Sequence, residues 1–213
     1  MQVITIPVTP FMQNCRIICC PVTGRCAVVD PGGDVDKLLS VIKERALDVE
    51  MILLTHGHLD HVGASETLSN ALGVDIVGPQ REDKFWFDAL PMQAQMFGFA
   101  PHAAFFPNRW LEDGDCVELG ELKLEVRHCP GHTPGHVVFY EPQSATVLVG
   151  DVLFKGSVGR TDFPKGDAAL LKRSIETQLF TLPEATRVMS GHGEDTSIGY
   201  EQRHNPFMSG RFG

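Results

Sequence analysis

The sequence has no long apolar run, and nothing in it approaches the roughly 20 consecutive apolar residues that a membrane-spanning helix needs. Its opening residues, MQVITIPVTPF, have neither a basic segment nor a long apolar core. They do not read as a signal peptide, and a cytoplasmic location is the default expectation. Cations are scarce: 18 Lys and Arg stand against 27 Asp and Glu, for a formal net charge of -9. That balance excludes a general affinity for nucleic acid, which needs a basic surface. It also means that an anionic substrate must find positive charge placed locally, against the field of the whole molecule. Internal repeats, low-complexity tracts and Pro/Gly/Ser linkers are missing too, so residues 1–213 are read as one domain. None of the six cysteines forms a C-x-x-C pair, and Cys15, Cys19, Cys20, Cys26, Cys116 and Cys129 are all read as reduced thiols. Cys129 lies in His-Cys-Pro-Gly-His, close to candidate site residues, but reads as a small buried apolar side chain.

What is present suffices for a core: 43% of the 213 residues are apolar. Short β-rich runs at 2–7, 14–20 and 26–30 alternate with turns, and Pro31-Gly32-Gly33 breaks the last of them. If 14–20 is a strand, Cys19 and Cys20 face opposite sides. A helix is expected over 35–46, with Leu38, Leu39, Ile42 and Ala46 along one face, then a strand at 50–54. A helix over 62–72 should end at Gly73. Residues 80–110 hold both tryptophans and six of the 13 phenylalanines, with prolines scattered through them. This segment reads as irregular or weakly helical cover over a core, with a substrate wall as the second reading. Strands follow at 117–119, 122–128, 136–141 and 146–149, a helix at 168–178, a strand at 187–189 and a last short helix at 197–204. Each half thus supplies strands and helices. An α+β arrangement, two sheets face to face with helices outside, would bury both sets.

The strongest chemical signal is Thr55-His56-Gly57-His58-Leu59-Asp60-His61, which packs four potential metal ligands into six residues directly after an apolar strand. His56 and His58 are two apart, so an extended segment points both to one side. Asp60 is expected to cap the next helix and His61 to open it. Three more candidates, His132, Asp151 and His192, each follow a β-rich run and are flanked by glycine. Side chains at strand ends are held by a rigid scaffold and often form sites. Five histidines and two aspartates exceed the four ligands of a closed structural zinc site. They suit two ions with a bridging carboxylate, an arrangement that clamps an attacking oxygen. His136 reads as a hydrogen-bonding neighbour of the ligands and His128 as structural, while His102 and His204 are assigned no role.

His56-Gly57-His58-Leu59-Asp60-His61, with later His132, Asp151 and His192, resembles the metallo-β-lactamase superfamily. The resemblance implies a four-layer αββα sandwich. It also implies one ion on His56, His58 and His132 and a second on Asp60, His61 and His192, with Asp151 bridging. The β-lactam hydrolases of that superfamily typically do not use a bridging aspartate in this way. Gly150-Asp151, Gly159-Arg160-Thr161-Asp162-Phe163 and Glu201–Phe207 are instead similar to the glyoxalase II-like branch, and the whole chain resembles its short single-domain bacterial hydroxyacylglutathione hydrolases. Only 21 residues follow His192, so the helical C-terminal domain that grips glutathione in two-domain members is not expected.

The resemblance implies a cytoplasmic thioesterase in which a metal-bound hydroxide, with Asp60 and Asp151 as catalytic residues, hydrolyses S-lactoylglutathione. The pair of divalent ions is expected to be zinc, although His/Asp donors also suit iron or manganese. A persulfide dioxygenase with one iron shares the Gly-Arg-Thr-Asp-Phe string, and a protein with a purely structural metal is a third reading. Lys155 and Arg160 are the expected substrate-binding cations, tethered just after Asp151. Arg160 has a planar fork suited to a carboxylate of glutathione, or it pairs with Asp162.

Overall fold

The computed structural model describes residues 1–209, so the last four residues of the 1–213 span lie outside the described part. Its strands are short. The central ones are buried almost from end to end, because both of their faces are covered, whereas outer strands such as Cys116–Leu119 and Leu122–His128 alternate buried with exposed positions. The first sheet orders β1 (Gln2–Val8), β2 (Gln13–Cys19), β3 (Arg25–Val29), β4 (Asp48–Leu53) and β5 (Asp75–Val77) in sequence, antiparallel up to β3 and parallel beyond it. The second sheet is built from β6 (Cys116–Leu119), β7 (Leu122–His128), β8 (Val137–Glu141), β9 (Thr146–Gly150), β12 (Arg187–Ser190) and β13 (Thr196–Ser197). Its order is β13-β12-β9-β8-β7-β6, with β12 and β9 parallel. Between β9 and β12 lies a small hairpin of β10 (Leu153–Phe154) and β11 (Ser157–Val158).

Alternation along the strands sorts side chains into three apolar layers. Ile18, Ala27, Val29 and Leu53 meet Leu124, Phe139, Leu148 and Met189 between the sheets. Cys15, Ile17, Ile52 and Leu54 point outward against Leu38 and Ile42 of α1 (Val35–Glu44), Leu59 and Val62 of α2 (Leu59–Val62) and Leu68 of α3 (Ser65–Leu72). On the far side, Val138, Tyr140, Val147 and Val149 pack on Leu171 of α6 (Ala168–Ser174), Ile175 and Leu179 of the π turn that follows, and Ile198 of α7 (Ile198–His204). The result is the expected αββα sandwich. Burying one such Leu or Phe is worth roughly 1.5–3 kcal/mol. Cys19 and Cys20 lie in different layers, as the two-residue strand period requires. No described helix is long and apolar enough to cross a membrane.

Several boundaries and one redox assignment differ from expectation. Cys19 and Cys26 are joined in a disulfide, because the β2–β3 register sets them opposite one another with Cα atoms 4.1 Å apart. The reduced-thiol reading therefore stands for Cys15, Cys20, Cys116 and Cys129 only. Cys129 is buried in the outer apolar layer, as expected of a small apolar side chain. The helix expected over 62–72 is two helices, α2 and α3. They part at Gly63-Ala64, where the Ala64 N–H turns to the Pro31 carbonyl and Gly63 lies against the Gly32 carbonyl. His58 is the N-cap residue of α2, so Asp60 sits inside the first turn rather than capping it. β5, β10, β11 and β13 are two or three residues long and leave too little pattern to be read. The aromatic segment forms α4 (Lys84–Asp88) and α5 (Leu90–Phe97), then runs irregularly to Trp110.

Candidate metal centre

The expected ligands converge at one edge of the sandwich. His56 and His58 leave β4 in extended backbone, Asp60 and His61 start α2, His132 lies in the β7–β8 connection, and Asp151 and His192 follow β9 and β12. His58 Nδ1 lies 3.1 Å from His56 Nε2 and 3.0 Å from His132 Nε2. His192 Nε2 lies 3.3 Å from His61 Nε2 and 3.2 Å from Asp60 Oδ2. Each set fits a single ion. Asp151 stands between them, with Oδ1 3.3 Å from His61 Nε2 and Oδ2 3.8 Å from His132 Nε2. Gly191 makes this approach possible, since a Cβ there would collide with Asp151 Oδ1 and His61 Cε1.

The outer nitrogens of His56, His61, His132 and His192 are held by hydrogen bonds that turn the other ring nitrogen inward. His132 Nδ1–H donates to the Arg160 carbonyl (2.7 Å) and His192 Nδ1–H to the Phe11 carbonyl (3.2 Å). His61 Nδ1–H donates to Asp30 Oδ2 (2.9 Å), and His56 Nδ1–H to Thr55 Oγ1 (3.0 Å), which in turn donates to Asp30 Oδ2 (2.6 Å). Partners of this kind fix the tautomer and orientation of metal-ligating imidazoles. Asp30 was not picked out as a site residue in the sequence, and its place at the end of an apolar strand was its only signal. His136 lies outside the ligand set, as expected: it stacks on His56 with centroids 4.6 Å apart, and its Nε2 accepts the Asp151 N–H. His128 donates to the Pro134 carbonyl, and His102 bonds the Gly63 and Ala103 carbonyls. His204 packs against Tyr200.

Electrostatics favour a cation. Burial and neighbouring imidazoles push His56 and His58 well below the ordinary histidine range, and burial also lowers His132. All three are therefore neutral donors at pH 7. At His61 burial is opposed and outweighed by Asp151 and Asp60, which carry its pKa well above the usual value. At Asp151 burial is overcome by His61, His132 and His192, which hold the carboxyl well below the carboxylate range. Asp151 Oδ1 and His58 Nε2 are buried without a hydrogen-bond partner among the described residues. The neutral nitrogens of His56, His58 and His132 converge and would repel one another, and a divalent cation resolves this; at His61, whose Nε2 faces Asp151 Oδ1, a cation would take the place of the imidazolium proton. The separations of 3.0–3.3 Å also agree with the roughly 3.3 Å between nitrogens around a tetrahedral ion at about 2.0–2.1 Å.

Two buried polar side chains from the aromatic segment brace the centre. Asp83 accepts the Gly57 N–H, the Gly135 N–H and the Thr133 hydroxyl, clasping the first ligand loop to the one that carries His132. Burial pushes its carboxyl up to about 7, against the pull of those three donors. Gln93 accepts the Leu59 N–H and donates to the Gly57 and Trp86 carbonyls. In the sequence both look like surface polar residues.

A cavity of about 330 Å³ opens over the ligands, with Trp86, Phe97, Phe99 and Phe163 among its walls. The aromatic segment thus divides between the two readings: Phe87 and Phe105 are core, while Trp86, Phe97 and Phe99 face the cavity. Arg160 also lines it, but its guanidinium grips Asp162 through two hydrogen bonds (2.7 and 2.6 Å) and lies 4.0 Å over the Phe163 ring. Lys155 pairs with Glu194 and does not line the cavity.

This fold and donor set define a class, and the sequence confirms it: residues 8–192 match the metallo-beta-lactamase superfamily, and the chain belongs to that family. It is by family a metallo-hydrolase, an enzyme built around a divalent-metal centre. A hydroxyacylglutathione hydrolase, GloC of Haemophilus influenzae, is 45% identical, with 99% of this chain and 100% of that protein covered. Among solved structures, the BLEG-1 B3 metallo-beta-lactamase matches with a TM-score of 0.90 at 34% identity, covering 98% of this chain and 100% of the other. TTHA1623 in a di-iron-bound form matches at 0.88 and 38%, covering 96% and 99%. ETHE1 from Myxococcus xanthus matches at 0.81 and 29%, covering 99% and 85%.

Proposed function

We propose that this enzyme is a cytoplasmic thioester hydrolase working with two divalent ions, zinc in the first place, and that it converts S-lactoylglutathione to D-lactate and glutathione. The observation that carries the two-ion reading is the position of Asp151 at the junction of the two sets, with Oδ1 toward His61 and Oδ2 toward both His132 (3.8 Å) and His192 (3.7 Å). The end-to-end likeness to a hydroxyacylglutathione hydrolase supports the substrate. A pair of divalent ions bound there supplies an acidified water near neutral pH and polarises a carbonyl oxygen.

The chain's own part is positioning. His56, His58 and His132 would hold one ion, Asp60, His61 and His192 the other, and Asp151 would keep the pair together. Asp60, on the first turn of α2 at the cavity floor, is placed to accept a proton-bearing hydrogen bond from an attacking water and orient it. At the base of the cavity the buried Trp86 covers the ligands and strengthens charge interactions there, while the rim stays open to solvent. No side-chain nucleophile is required: Cys129 is buried in the outer core, where burial pushes its thiol up. The leaving thiolate needs no acid, because a free thiol has a pKa near about 8.5.

A second reading, a persulfide dioxygenase with one iron, is favoured by the likeness to ETHE1 and by Gly159–Phe163. The fully assembled second donor set, Asp60–His61–His192, weighs against a single ion. Anaerobic turnover of S-lactoylglutathione by the metal-loaded enzyme, without oxygen uptake on glutathione persulfide, is the expected result. Oxygen-dependent persulfide consumption with no thioester cleavage would establish the second reading. The same preparation should show a higher kcat/KM for S-lactoylglutathione than for any β-lactam, and the reverse order would refute the substrate assignment.

A further inference from the structure

The cavity over the metal centre is apolar beyond what a lactoyl group uses. Phe11, Met92, Met96 and Phe97 line it and remain 46%, 48%, 64% and 37% exposed. Exposed apolar side chains gathered around a concave site mark a binding surface rather than a packing accident. Their rings form a connected edge-to-face set: Phe11 to Phe99 at 5.4 Å, Phe11 to Phe97 at 6.1 Å and Phe97 to Phe163 at 6.1 Å. Trp86 and Phe163 carry this set down to the ligands, with ring centroids 4.5 and 5.2 Å from His58. The wall therefore begins beside the place where a scissile carbonyl must sit. The charged non-histidine groups on the lining are Asp60, Asp151 and Arg160, and Arg160 is committed to Asp162. Glutathione brings two carboxylates, for which the lining among the described residues offers Arg160 alone, already paired with Asp162. A lactoyl group brings one methyl, which leaves most of the wall wet.

We propose that this cavity selects thioesters whose acyl group carries an aryl or similarly bulky apolar substituent, seated against Trp86, Phe97, Phe99 and Phe163. The inference rests on the thioesterase reading above for its chemistry. It does not rest on that reading for the apolar site itself. Aromatic walls favour an aryl group through edge-to-face contact as well as area. Unbranched Met92 and Met96 at the rim adapt to its outline. Exchanging the acyl methyl for a phenyl would remove roughly 100 Å² of apolar surface from water if fully covered, which at about 25 cal/mol per Å² is a factor of several tens. With the rim half open, the expected preference is about tenfold.

The test compares kcat/KM of the metal-loaded enzyme for S-mandeloylglutathione and S-lactoylglutathione, which differ only in phenyl for methyl. The mandeloyl thioester is expected to be favoured about tenfold. The preference should shrink severalfold in Met96→Ser and Phe97→Ser, whose side chains lie outside the deep core and whose melting temperatures check the fold. The change in preference between enzymes cancels the intrinsic reactivity of the two thioesters. A ratio at or below one, or a ratio unmoved in both folded variants, overturns the proposal while leaving the thioesterase reading intact. Binding of two thioethers that cannot be hydrolysed, S-hexylglutathione and S-methylglutathione, is read in parallel from tryptophan fluorescence. If neither thioester is cleaved, the thioesterase reading falls. In that case about tenfold tighter binding of the hexyl compound still supports the apolar acyl site, and equal binding overturns it.

Discussion

Asp30 offers the sharpest test of the metal centre, because it touches no substrate and yet controls a ligand. Its Oδ2 accepts the His61 Nδ1–H at 2.9 Å and the Thr55 hydroxyl at 2.6 Å, and its Oδ1 accepts the Thr55 N–H at 2.8 Å. Asp30→Asn preserves size, and asparagine tolerates the left-handed backbone found here (φ 51°). It places an NH₂ where one carboxylate oxygen was. If the amide faces His61, it donates to Nδ1, the ring proton moves to Nε2, and the lone pair that faces His192 and Asp60 is lost. If it faces the Thr55 N–H instead, two donors meet and the β4 end is disturbed. Loss of such an outer partner typically costs about 10–100-fold in metal affinity, or roughly 1.4–2.7 kcal/mol. The loss should be larger at the proposed Asp60–His61–His192 ion, which Asp30 supports directly, and smaller at the proposed His56–His58–His132 ion, which it supports only through the Thr55 hydroxyl. Chelator competition followed by elemental analysis should therefore show one ion leaving far earlier than in the parent enzyme, with kcat falling in step. Unchanged affinity for both ions and unchanged turnover in a folded variant would refute the argument that Asp30 sets the His61 tautomer.

Stripping the metal should abolish hydrolysis and lower the melting temperature, because the neutral imidazoles of His56, His58 and His132 are left converging with nothing between them; full activity in a verified metal-free sample would end the metal reading. His56→Ala should lower metal content most directly. Asp83→Ala should cost about 3 kcal/mol in urea unfolding, since it strands the Gly57 and Gly135 N–H groups and the Thr133 hydroxyl. With its folded pKa raised to about 7, Asp83 binds its proton more tightly folded than unfolded. Its contribution to stability is therefore fully present below about pH 4 and is lost as pH rises to about 7. A parent protein whose stability over that range matches the pH profile of Asp83→Ala would contradict this assignment. For Arg160, the Asp162 pair makes a prediction in two parts. If the guanidinium also anchors a glutathione carboxylate, Asp162→Ala should lower KM and Arg160→Ala should raise it with little change in kcat. Equal loss of metal and stability in both variants would mean that the loop holding the His132 hydrogen bond is what matters.

The sequence alone made the candidate donors and the layering legible. His56, His58, Asp60 and His61 announce themselves because a strand end and a helix start bring them together within six residues. His132, Asp151 and His192 do so because each follows a β-rich run and is flanked by glycine. The αββα order is legible because central strands such as β8 and β9 are apolar without alternation, and strands buried on both faces need cover on two sides. Only the tertiary structure decided the contacts between distant segments. Asp30 reaches His61 across the β3–β4 pair, Asp83 clasps loops that are 26 and 52 residues away, and Cys19 meets Cys26 because of a strand register. The break between α2 and α3 likewise depends on Pro31 and Gly32 arriving from elsewhere in the chain. Which aromatic rings face the cavity and which fill the core was equally open, because Trp86 and Phe87 are neighbours in sequence with the same chemistry. A local pattern records which atoms a residue can offer. What those atoms meet is set by packing, and packing is a property of the whole chain.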